Sequence, residues 1–322
     1  MHFNIILSNH HQTAYFAMSQ TVTYLRNALS TCGHDVTISM SELHRGAMNV
    51  FIENFEAGVE GLVAEIEEHR KSIPLRVGVV STELMVDGTI PYAQSGLYRN
   101  DPDQVRNRVA GFEYFARHAD FVWHLVERTA VNFNGINRNQ AVFPYGHVEG
   151  PSARLRRSPK DLDVVFFGRM TPHRRAVIDS LRARNIAVVD VGYLGAGWVP
   201  DFVLSSLLDR AKIGLNLTLH SLDDTPIAGV DPRFASCARI VEMLERDVCV
   251  VSEEIPLDNP YRNHMVSAPV SQLADVCRSL LDSGEWQTLG PAAAARFRRE
   301  MDAIVVCGPV IARTCGGLDP NG

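Results

Sequence analysis

Short apolar runs alternate with amphipathic stretches along this chain, the rhythm of βα units that build parallel sheets. In the first half, Phe3–Leu7 reads as a buried strand, followed by the polar loop Ser8–Thr13 and a helix from Ala14 to Ser30. Val36–Ser39 and Met48–Phe51 return as strands, Gly58–Lys71 is helical, and Leu75–Val80 (LRVGVV) is a central strand. Asp101–His118 is a helix with Asp101 placed to cap it and Pro102 at its first position. Phe121–Leu125 and Ala141–Phe143 close this half as strands.

The second half repeats the pattern. Asp163–Phe167, Ile186–Val191, Ile213–Leu217 and Val248–Ser252 are strands. Helices are expected over Pro172–Arg184, Pro200–Ala211, Phe234–Arg246, Val270–Ser283 and Ala292–Val305, and the tail Gly316–Gly322 has the composition of a frayed end. Between the halves, Pro144–Pro151 carries two prolines and two glycines in eight residues and reads as a hinge. The expected fold is therefore α/β, two Rossmann-like domains with parallel sheets facing a cleft, divided into residues 1–146 and 147–322. The final helix is able to pack back on the first domain.

Length and charge narrow the class. A chain of 322 residues suits two domains. A net charge of −6 gives no basic surface for nucleic acid. No apolar run is long enough to span a membrane, and the first residues lack the pattern of a secretion signal. Six cysteines without a CxxC pair fit buried thiols in a reducing, cytoplasmic compartment.

Four segments carry candidate chemistry. Phe167-Gly168-Arg169-Met170-Thr171-Pro172-His173-Arg174-Arg175 runs from a buried strand into a helix through a glycine. A helix start attracts phosphate, and Arg169 and Arg174 add planar bidentate donors. Glu242, near a helix start, is placed to accept from ribose hydroxyls; it lies three residues from Arg239 on one helix face, so the alternative is a plain surface ion pair. Asn216 and His220 follow a strand at the edge where open α/β sheets take ligands. In the first half, His10 and His11 follow the first strand and Glu83 follows LRVGVV, all at that same kind of edge and all candidate general bases.

Absences matter as well. No G-x-G-x-x-G, P-loop or G-x-S-x-G is present, which weakens dehydrogenase, NTPase and hydrolase readings. Asp161-Leu162-Asp163 has metal-site spacing but precedes its strand, at the wrong edge for a ligand.

The second half, with DVVFFGRMTPHRR, AKIGLNLTLH and RIVEML before VCVVSE in that order, resembles the donor domain of GT-B glycosyltransferases. It is most similar to the branch containing CgeB-like spore-maturation proteins and the group 1 retaining enzymes. The resemblance implies an acceptor-binding first domain and a donor-binding second domain for a nucleoside-diphosphate sugar such as a UDP-sugar. It also implies a transferase of the hexosyltransferase kind, without cofactor or metal, acting on a small-molecule or other soluble acceptor. In it, Arg169 and Arg174 match the diphosphate-binding pair, Glu242 matches the ribose-binding glutamate, and Tyr193 falls at the nucleobase pocket. The first glutamate of the family's pair has no match in DPRFASCA. An epimerase on the same fold and a non-catalytic nucleotide-sugar binder are the alternatives.

Overall fold

The computed structural model describes residues 1–7, 12–53, 55, 58–85, 88, 90, 102–148, 159–191, 199–218 and 238–318. The chain forms two compact units: Met1–Gly150 together with Met301–Gly322, and Pro151–Glu300. It therefore passes from one unit to the other twice.

Unit 1 begins β1(His2–Ile6), α1(Gln12–Thr31), β2(Asp35–Ser39), β3(Met48–Ile52), α2(Val59–Arg70) and β4(Arg76–Ser81). It continues with α3(Pro102–His118), β5(Phe121–His124), α4(Glu127–Asn132) and β6(Gln140–Val142). The six strands are parallel in the order β2-β1-β3-β4-β5-β6. Strands β3 and β5 are buried at every position and β4 at all but its first, as a parallel sheet covered on both faces requires. Phe55 and Phe115 stack at 4.7 Å between centroids in the core that α2 and α3 cover.

Unit 2 contains β7(Leu162–Phe167), α5(Pro172–Ala183), β8(Val188–Val191), α6(Asp201–Arg210), β9(Ala211–Asn216) and α7(Ala238–Leu244). Then come β10(Cys249–Glu253), β11(Val266–Ala268), α8(Leu273–Ser283) and α9(Trp286–Glu300). Its strands run parallel in the order β11-β10-β9-β7-β8. Helix α5 buries Val177, Ile178 and Leu181 on one face, each worth on the order of 1.5–3 kcal/mol.

Two stretches differ from the sequence reading. The helix expected over Ala292–Val305 is instead α9, which starts at Trp286 and contains Pro291, followed by the separate α10(Ala303–Val306). The true start is hidden in the sequence because proline normally marks a beginning. Just before it, Gly290 lets α9 press on the chain entering β10, where a Cβ would stand 2.6 Å from Asp247 O. The last helix, α11(Gly308–Cys315), takes in residues just ahead of the tail read as frayed.

Both α10 and α11 belong to unit 1. Trp123 Nε1 donates to Thr314 Oγ1 at 2.9 Å, and Asn139 Nδ2 donates to Thr314 O at 2.8 Å. Tyr24 Oη donates to Pro144 O and accepts from the Gly146 N–H, both at 2.6 Å. His147 pairs with Met301 and Ala303 through its backbone at 2.6 and 2.9 Å. The described part of the segment read as a hinge, 144–148, is thus bonded into unit 1.

Candidate functional site

In unit 2 the strand order turns around β7: β8 pairs on one side and β9 on the other. The carboxyl ends flanking such a switch point are where open α/β sheets take ligands. Gly168 and Arg169 leave β7 there, and Leu217 and Thr218 leave β9.

Gly168 has φ 125°, a conformation that suits glycine. Arg239 of α7 reaches over this turn. Its Nε donates to Phe167 O at 2.8 Å, and Nη1 donates to Leu217 O at 3.1 Å and Asn216 Oδ1 at 3.3 Å. Its guanidinium lies over the Phe166 and Phe167 rings, 5.5 and 5.8 Å from their centroids. Burial draws its pKa down to about 10, against the charge of Glu253, so it stays cationic at neutral pH. Nη2 has no hydrogen-bond partner among the described residues.

The start of α5 is more nearly satisfied than a bare helix end. Thr171 caps it, its Oγ1 accepting from the Arg174 N–H at 3.3 Å. Pro172 has no N–H, and the Arg175 N–H donates to Thr171 O at 2.9 Å. That leaves the N–H of His173.

Arg174 does not project into solvent. It is 3% exposed, and three of its donors bind backbone carbonyls: Thr218 at 2.8 Å, Arg169 at 2.6 Å and Leu217 at 2.6 Å. The expectation that it reaches a diphosphate gives way to a bracing geometry, in which Arg174 ties the β7 turn to the β9 loop. Arg169 is half-buried in the turn that this brace holds. Asn216 is a second brace, donating to Ser252 Oγ at 2.9 Å.

Arg239 and Glu242 form no ion pair. Arg239 turns toward Phe167 and Leu217, whereas the charges acting on Glu242 are Arg246, Asp201 and Glu245. Burial pushes the Glu242 carboxyl up, with Arg246 opposing and the two acids adding to it. The i,i+3 spacing placed both residues on one side of α7, but the partners come from different elements.

Glu253, which the sequence reading passed over, completes the cluster. Glu253 ends β10, and both its oxygens lie within 3.1–3.2 Å of Thr218 Oγ1 and of His173 Nε2. The Thr218 N–H also donates to it. The signal was present, since a carboxylate directly follows the buried run VCVVS, at the ligand edge. Asp161 and Asp163, at the opposite edge, are spent on Arg210 at 2.7 Å and Lys212 at 2.6 Å.

The corresponding edge of unit 1 holds Glu83, just past β4. Arg108 of α3 is 4% exposed and makes a bidentate ion pair with the fully buried Glu53, which follows β3. Thr82 Oγ1 donates to Glu53 at 3.0 Å. Arg108 Nη2 also lies 3.8 Å from Glu83 Oε1. Desolvation pushes the Glu83 carboxyl up, Arg108 opposes, and Glu53 adds to the rise. Its side chain keeps 41% exposure, so solvent blunts the shift. Neither Glu53 nor Arg108 was singled out from sequence, because nothing local pairs residues 55 positions apart.

His10, His11, Tyr193 and His220 lie outside the described residues. Among the described residues, no group of three or more His, Cys, Asp or Glu side chains is arranged to hold a metal ion. No described helix is long and apolar enough to cross a membrane.

Solved structures share this fold. T4 phage β-glucosyltransferase superposes with TM-score 0.50 over 97% of this chain and 99% of its own, at 12% identity. The α,α-trehalose 6-phosphate synthase of Burkholderia multivorans gives 0.52 over 94% of this chain and 76% of its own, at 12% identity. This chain has the GT-B fold. A third GT-B structure, TarM, matches with TM-score 0.53 over 84% of this chain at 10% identity, and this chain spans 56% of TarM. No protein-family model matches the sequence, and no curated protein matches it. At such identities the GT-B likeness is one of backbone, and the site residues rest on their own geometry.

Proposed function

We propose that this protein is a glycosyltransferase, moving a sugar from a nucleoside-diphosphate sugar to a soluble acceptor. One observation carries the reading: at the β7/β9 switch of a GT-B fold, the cationic Arg239 lies over the glycine turn that leads into Arg169, and its Nη2 has no hydrogen-bond partner among the described residues. Unit 2 then binds the donor and unit 1 the acceptor.

In this mechanism Arg169 and Arg239 stabilise the charge that grows on the leaving diphosphate, aided by the start of α5. Two guanidinium groups supply the positive charge that a metal provides elsewhere, so the reaction is metal-independent. Arg174 and Asn216 hold the two loops, and Glu242 of α7 contacts the ribose. Glu83 is the acceptor base, with His10 and His11 on the loop after β1 as the further candidates. The protein works in the cytoplasm.

The test is thermal unfolding against UDP, GDP, dTDP, ADP and CMP, with NAD as control. A ligand at about a hundred times its Kd adds roughly 2.7 kcal/mol, enough to raise Tm by several degrees. One nucleoside diphosphate should stabilise the protein, and Arg169→Ala should abolish the effect and lower turnover by about 10²–10³. A response to NAD alone would overturn the reading.

A further inference from the structure

We infer that the open edge of β6 is a docking groove for an extended acidic peptide segment of a partner protein, which adds to the unit 1 sheet as a further strand.

Strand β6 ends the sheet order, with β5 as its neighbour among the described residues. The Val122 N–H donates to Asn139 O at 3.0 Å, and the Phe143 N–H donates to His124 O at 2.8 Å. Positions 139, 141 and 143 therefore face β5. Alternation along the strand turns the N–H and C=O groups of Gln140 and Val142 outward. These outward groups have no backbone partner among the described residues.

A bare edge is usually blunted or covered. This one is instead the floor of a groove of about 600 Å³, within the size range of ligand sites. Its walls come from elements on either side of the strand. Glu127 belongs to α4, Asn134 and Arg138 to the stretch between α4 and β6, and Arg313 to α11. Gln140 spends its Oε1 on His124 Nε2 at 3.0 Å, which leaves its amide nitrogen without a partner among the described residues. All of these residues belong to unit 1, so the groove is independent of the donor site in unit 2.

Charge selects the occupant. Arg138 and Arg313 are exposed, and neither has an ion pair or hydrogen bond among the described residues. Arg70, Arg210 and Arg298, by contrast, are each spent on an aspartate. Glu127 is the one acid in the lining. A second copy of this edge would bring the same two cations, which repel. A nucleic-acid backbone meets the cations but offers no regular row of N–H groups to the outward carbonyls. An extended peptide supplies both N–H and C=O at the strand repeat, and its glutamate or aspartate side chains meet the two guanidinium groups.

The test uses the full-length protein and a capped peptide of about six residues, the ordinary length of a strand, alternating valine and glutamate. Its valine–lysine counterpart is the control. Calorimetry reads affinity, and amide hydrogen exchange reads the place of contact. The glutamate peptide should bind about ten-fold more tightly than the lysine peptide and should slow exchange at Gln140 and Val142. Val142→Pro removes an outward N–H without touching the β5 ladder, so the variant should fold and lose binding. Arg138→Glu combined with Arg313→Glu should weaken the glutamate peptide about ten-fold and turn the preference toward lysine. If Val142→Pro does not fold, the double charge reversal at these exposed positions decides alone. Equal affinity for the two peptides, or an unchanged preference after charge reversal, would overturn the inference. Binding of neither peptide would overturn it as well, leaving Arg138 and Arg313 as guards of a bare edge. So would pairing of two copies through this edge, seen as concentration-dependent sedimentation that Arg138→Glu with Arg313→Glu alters.

Discussion

A Cβ added to Gly168 would stand 2.7 Å from Arg239 Nη2. The φ of 125° at this glycine and the reach of Arg239 across β7 to Phe167 O are one arrangement: the arginine lies where a side chain at 168 would be. Gly168→Ala should therefore cost about 1–3 kcal/mol through backbone strain, and it should push Arg239 off the turn. Urea unfolding and nucleotide-sugar affinity both report on this. An alanine variant with wild-type midpoint and wild-type affinity would show that the turn does not need its glycine.

Glu53 and Arg108 form a buried pair, so either single deletion strands a charge. Glu53→Ala should destabilise the protein by about 3–5 kcal/mol, whereas replacing both by apolar residues, Glu53→Met with Arg108→Leu, should recover much of the loss. Denaturant midpoints of the two singles and the double decide this. If the double is as unstable as the singles added together, the charges are not coupled in the way the geometry indicates.

Glu83→Gln should lower transferase turnover by about 10²–10⁴ while donor affinity holds. The elevated Glu83 pKa also has a direction to check. The acid limb of the rate profile should lie above the ordinary carboxylate range, because a protonated carboxyl cannot accept the acceptor's proton. Loss of donor affinity in this variant would remove Glu83 from the base role.

His124 ends β5, fully buried, with Nε2 on Gln140 Oε1 at 3.0 Å and no partner for Nδ1. Burial lowers its pKa from 6.5 to about 4, with the Gln140 bond opposing. The unfolded chain thus binds a proton between those values that the native state refuses. Stability is full above pH 6.5 and is lost as pH falls through the folded value of about 4, by about 3 kcal/mol in total. His124→Gln should flatten that slope in urea titrations across the window. A slope equal to the wild type's would assign the acid sensitivity to other groups.

The sequence by itself determined the periodic structure. Runs such as DVVFF and VCVVS can sit only in the middle of a covered sheet, and the alternation of strands with amphipathic helices forces parallel pairing. The position of Gly168 between a buried strand and a proline-started helix was legible for the same local reason. Those signals lie within one turn or one strand, where neighbouring residues dictate geometry.

Tertiary structure alone decided which side chains meet. Arg174 reads as a ligand donor in the string GRMTPHRR, yet it folds inward because the carbonyls of Leu217 and Thr218 arrive beside it from β9. Glu253 meets His173 across 80 residues and Arg239 meets Phe167 across 72. Each of these depends on strand order, since the sequence β11-β10-β9-β7-β8 is what places the ends of β7, β9 and β10 side by side. A hydrophobic pattern with period two or 3.6 specifies which face is buried. It carries no record of which distant strand will lie next to it, and the candidate site is built from that adjacency.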